Sequence, residues 1–191
     1  MKKNIYYSLI ISAMVSVSAA EETRQVDKHE HGVGELNIAI EGNAIDFEFF
    51  IPGADIVGFE YEAKTESDIA LVNAALEKFG NFDNIFSLPE SSNCNLVNSE
   101  IGINQDDDHD DHDDHDEHDD HDEHDEEAHN EFVAHYSFNC GNIKEIDRIS
   151  FPYFTTFPNS GELEVQFVSE IGSTSFEVEG DEPFIDLKGK I

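Results

Sequence analysis

The pattern of apolar and polar residues alternates from Gly34 to Ile51, with Leu36, Ile38 and Ile40 in one set and Ile45, Phe47, Phe49 and Ile51 in the next. Between them stands Glu41-Gly42-Asn43. A period of two broken by a Gly/Asn turn predicts a β-hairpin with one buried face. Pro52 and Gly53 end it, because proline cannot donate to a sheet ladder. After a short segment, Ala54 to Tyr61, the period changes to that of a helix. Thr65 caps it with Asp68 three residues on, and Ile69, Val72, Leu76 and Phe79 form its apolar stripe up to Gly80. Phe82, Ile85, Phe86 and Leu88 predict further packed chain before Pro89.

The second half is again strand-like. Cys94 to Ile103 and Glu131 to Cys140 read as strands on either side of a charged run, and Ile146 to Phe151 as another. The aromatic stretch Phe151 to Pro158 reads as core. An Asn159-Ser160-Gly161 turn then leads into Leu163, Val165 and Phe167, followed by Phe176 with Val178 and by Ile185 with Leu187. One firm helix among six or seven strands predicts an α+β domain, mainly antiparallel β with one main helix. The segment 104–130 is expected to be a disordered insertion, since its composition cannot bury enough apolar area to offset its ordering entropy.

Composition changes this picture at the N-terminus first. Lys2 and Lys3, the apolar Ile5 to Val17, and Ser18-Ala19-Ala20 have the order of a cleavable signal peptide over residues 1–20. The reading is therefore an exported, periplasmic chain with one domain over residues 21–191 and no membrane insertion. The formal charge is -34, and about -36 without the two signal lysines. Such a surface repels nucleic acid and anionic membranes and attracts cations. The only two cysteines, Cys94 and Cys140, are expected to form a disulfide in an exported chain, with a thiolate metal site as the competing reading.

The charged run supplies the candidate chemistry. From Asp106 to Glu127 every residue is Asp, Glu or His, and His109, His112, His115, His118, His121 and His124 recur at every third position. Neutral imidazole ligates Zn(II), Ni(II) and Cu(II), whereas carboxylates alone would suit Ca(II) or Mg(II). The run is expected to bind several Zn(II) ions, or other divalent transition metals, loosely and exchangeably. A second set of candidates lies outside it: His29 and His31 just before the first strand, His129 and His135 after the run, and Glu60 as a carboxylate ligand. If the strand ending at Cys140 pairs near the hairpin, His29, His31 and His135 converge.

The stretches HEHGVGELNIAIEG, IPGADIVGFEYEA, SLPESSNC, HYSFNC and FPYFTTFPNSGELEVQ, in that order, resemble the ZrgA family of zinc-regulated periplasmic proteins. The resemblance implies a non-enzymatic role in zinc acquisition beside a zinc ABC importer and its periplasmic solute-binding protein. It further implies that the six-histidine run is a zinc-loading loop of variable length, and that His29, His31 and His135 match the family's histidines around the ordered domain. The family often has His where this chain has Tyr61, so Glu60 or Glu62 would substitute. Three other functions compete. A general transition-metal buffer uses the same ligands. An exported zinc-dependent hydrolase would hold its metal with His29, His31 and His135 and use Glu60 as base, but no His-Glu-x-x-His helix or Gly-x-Ser-x-Gly elbow is present. A Ca(II)-stabilised adhesin leaves the histidines without a role.

Overall fold

The computed structural model describes residues 32–105 and 130–191. The signal-like segment, the His29–His31 pair and the whole six-histidine run lie outside the described residues. The predicted hairpin is β1 (Val33–Glu41) and β2 (Ala44–Pro52), in a register that sets Ile40 opposite Ile45 and Leu36 opposite Phe49. A short helix α1 (Gly53–Val57) follows, then α2 (Glu66–Phe79), where Thr65 Oγ1 accepts the Asp68 N–H at 3.1 Å. Strands β3 (Cys94–Gln105) and β4 (Asn130–Cys140) pair over their full length. They run beyond the expected limits, so Asn104, Gln105 and Asn130 belong to the sheet and the insertion proper is 106–129.

The remaining elements are β5 (Arg148–Ser150), α3 (Tyr153–Thr156), β6 (Glu162–Ser169), β7 (Gly172–Glu179) and β8 (Phe184–Asp186). The large sheet has the order β3-β4-β2-β1-β6-β7, and β5 with β8 forms a separate two-stranded ribbon. This overturns the expected mainly antiparallel class with one main helix. The sheet is mixed, because β1 and β6 are parallel, and the described residues hold three α-helices. The parallel pair is set where the two strands begin. Gly161 and Glu162 both donate their N–H to the carbonyl of Gly32, so β1 and β6 start from the same end and run the same way.

One face of the sheet is covered. Phe47, Phe49, Phe132, Tyr136, Phe138, Leu163 and Val165 are buried against Phe79 of α2, Ile85, Phe86, Phe151, Tyr153 and Phe157. Phe86 is central: its ring stacks on Phe47 at 4.0 Å and meets Tyr136 and Phe138 edge-on at 5.4 and 5.8 Å. The Phe151–Pro158 stretch is core, as expected. The helix stripe is only partly so. Phe79 is fully buried, but Ile69 is 45% exposed, because only the C-terminal turns of α2 reach the core. Burial pushes the hydroxyls of Tyr136 and Tyr153 well above the ordinary tyrosine range, and each is hydrogen-bonded, to the Phe79 carbonyl and to Ser160.

Candidate functional site

The chain meets its histidine-bearing segments at one end of the sheet. Gln105 and Asn130 are register partners, so the insertion leaves β3 and enters β4 side by side. Asn130 is buried, donates its N–H to the Glu60 carbonyl at 2.8 Å and its side-chain amide to the Tyr61 carbonyl at 2.5 Å. Gly53 is required beneath it, since a Cβ there would come within 2.8 Å of the Asn130 carbonyl and 2.7 Å of that of Phe59. Gly32, which follows His29-Glu30-His31, donates its N–H to Asp55 Oδ1 at 2.9 Å, and Asp55 is buried. In the sheet order β4 lies only two strands from β1, about 10 Å. The attachment points of the N-terminal histidine pair and of the insertion are thus neighbours, with Asp55 and Asn130 at that end of the sheet.

His135 is elsewhere. The strand ending at Cys140 does pair with the hairpin, but the register puts His135 opposite Glu48 on one side and Glu100 on the other, midway along β4. Five residues separate it from Asn130, about 17 Å of strand. A zinc ion needs its donors within about 2 Å, so His135 and Glu60 do not serve the same ion. The His135 ring faces the uncovered side of the sheet, with Nε2 3.8 Å from Asp46 Oδ1, which also accepts a 2.5 Å hydrogen bond from Ser137. Among the described residues no group of three or more His, Cys, Asp or Glu side chains is arranged to hold a metal ion. His29, His31, His109, His112, His115, His118, His121, His124 and His129 all lie outside those residues.

Cys94 and Cys140 form the expected disulfide, which excludes the thiolate site. They are register partners at the start of β3 and the end of β4. The bridge therefore closes the far end of the two-stranded ribbon, about 33 Å from the insertion, and not its base. Sequence spacing alone hides this, because cysteines flanking an insertion look the same whether short loops or long strands intervene.

No helix of the described residues is long and apolar enough to cross a membrane. No curated protein matches the chain in sequence. A family model does: the model of the ZrgA family of zinc uptake proteins matches residues 28–187, from just before the His29–His31 pair to the last buried leucine, and the chain belongs to that family.

Proposed function

We propose that this chain is a periplasmic zinc-capture protein whose histidine run, His109 to His124, loads Zn(II) and delivers it to the solute-binding protein of an ABC importer. Its membership of a zinc uptake family supports the direction of transport. The observation that carries the capture role is the run itself, six imidazoles at period three among sixteen carboxylates, mounted on paired residues of a rigid sheet. The carboxylates concentrate cations and the imidazoles select transition metals. A set of interchangeable donors releases an ion readily, as handover requires, and the protein makes or breaks no covalent bond.

His29 and His31, which directly precede Gly32 in the chain, are a second candidate zinc-holding pair. His135 acts apart from it, on the open face. Ligand imidazoles must be neutral, so zinc binding weakens as pH falls through the histidine range. The test is calorimetric titration with Zn(II) of the intact protein and of a variant in which a short Gly-rich turn joins Gln105 to Asn130. The number of ions bound should fall to the contribution of the N-terminal pair. Unchanged stoichiometry excludes the run as the loading site. Growth of a deletion strain that fails only under zinc excess, and not under zinc limitation, would replace uptake by buffering.

A further inference from the structure

The six strands of the large sheet contain ten carboxylates and not one Lys or Arg. The strand registers put all ten on the face opposite the core. Some are placed against each other: Glu35, Glu164 and Glu177 are direct partners across β1, β6 and β7. Like charges directly opposite cost stability. The same face is not wholly polar, since Phe50 and Val133 are register partners within it.

Beside Val133 stands Gly102, in the interior of the edge strand β3. Its backbone does not need glycine: its φ is outside the left-handed region and a Cβ would meet nothing within 4 Å. A strand-interior glycine weakens the strand, and often marks where another molecule approaches closely. Here it opens a hollow of about 420 Å³ with Val133 in its wall and Glu48, Glu100 and His135 around it. A second hollow, of about 210 Å³, continues from Glu48 and His135 toward Gln166 and Val168.

We propose that this uncovered face docks a protein partner through a Lys/Arg-bearing surface, with one basic side chain seated over Gly102 and its charged head toward Glu48 and Glu100. An apolar wall with a carboxylate rim suits the methylene stem and charged head of such a residue. Six strands spaced about 4.8 Å apart give a face of roughly 25 by 25 Å, close to the ~800 Å² that each partner contributes to a standard interface. A second copy of this chain and a nucleic acid are both repelled by the same charge. The inference does not depend on which histidines hold zinc.

The experiment follows backbone amides of the ¹⁵N-labelled full chain during titration with the synthetic peptide (Arg-Ser)₅. Saturable shifts at Gly102, Val133 and His135 are expected. The double substitution Glu48→Gln with Glu100→Gln, both exposed, should weaken that binding about fivefold or more. Gly102→Val, which fills the hollow with a good strand former, should abolish it while leaving the thermal midpoint unchanged or raised. Peptide shifts confined to 106–127, or binding at Gly102 that is indifferent to the Glu48/Glu100 pair, overturn the proposal. So do shifts at these amides produced by Zn(II) alone with none from the peptide, or by raising the protein concentration without peptide. Should Gly102→Val fail to fold, the Glu48/Glu100 variant decides.

Discussion

Phe47 and Glu48 are neighbours in β2 and point to opposite faces of the same sheet. Phe47 is fully buried and stacks on Phe86, whereas Glu48 is exposed and lies between Asn37 and His135 on an acidic face. Period-two alternation brings this about, since one strand then serves two purposes without compromise. The covered face supplies the stability and fixes the register. The open face is free to carry charge that the fold itself would rather avoid. The two faces are therefore expected to answer mutation very differently.

The largest effect belongs to the covered face. Phe86→Ala removes a ring packed against Phe47, Tyr136 and Phe138 and should cost about 3–5 kcal/mol in urea denaturation. Val168→Ala, on the open face and 51% exposed, should change stability by less than about 0.5 kcal/mol. Equal costs would mean that the open face is packed against something in the free protein. Next comes the Cys94–Cys140 bridge. Replacing both cysteines by serine releases a constraint across 46 positions of sequence and should cost about 2–4 kcal/mol. Zinc stoichiometry should not change, because the insertion joins the other end of the ribbon. A parallel loss of zinc sites would show that the bridge supports the zinc-loading segment from the far end of the ribbon.

High pH separates the faces more gently. The hydroxyls of Tyr136 and Tyr153 are pushed up by burial, so the unfolded chain gives up these protons first. Stability from this source is fully present below the ordinary tyrosine value of about 10 and is lost as pH rises above it, by about 1.4 kcal/mol per tyrosine at pH 11. Tyr136→Phe should lower stability at pH 8, where it loses the hydrogen bond to the Phe79 carbonyl, yet flatten the decline between pH 9 and 11. An unchanged slope would show that Tyr136 does not contribute to the alkaline decline.

Much of the covered face was legible in the sequence. The Leu36–Ile40 and Ile45–Ile51 sets formed the expected hairpin, and Thr65 with Asp68 marked the helix start, because both signals are local. The parallel pairing of β1 with β6 was not legible, since it depends on a contact between Gly32 and Gly161, far apart in the chain. The separate β5–β8 ribbon escaped for the same reason, and the short helix α3 inside the Phe151–Pro158 stretch because a single turn is too short to show a helical period. For the site, the histidine run pointed to zinc, as the family does, but spacing in the sequence did not place the candidate residues in space. The register of β4 puts His135 midway along the strand, away from Asn130 and the Glu60 backbone that Asn130 meets. The acidic open face was hidden too: its carboxylates are scattered singly along six strands and gather only when the strands align.

The smallest expected effect is also the one that tests the open face most directly. Glu164 is exposed and sits between Glu35 and Glu177 in direct cross-strand register. Glu164→Lys turns two like-charge pairs into two opposite-charge pairs without touching the core, and should raise stability by roughly 0.2–1 kcal/mol, more at low salt than at high. A protein that gains stability by losing an acidic residue was not selected for stability at that position. If instead the substitution destabilises, a cation already bridges these carboxylates in the free protein, and adding a chelator should reproduce the loss in the unmodified chain. With the gain in hand, the repulsion among Glu35, Glu164 and Glu177 stands as a cost the fold bears, which is the condition expected of a face that meets its counter-charge on another molecule.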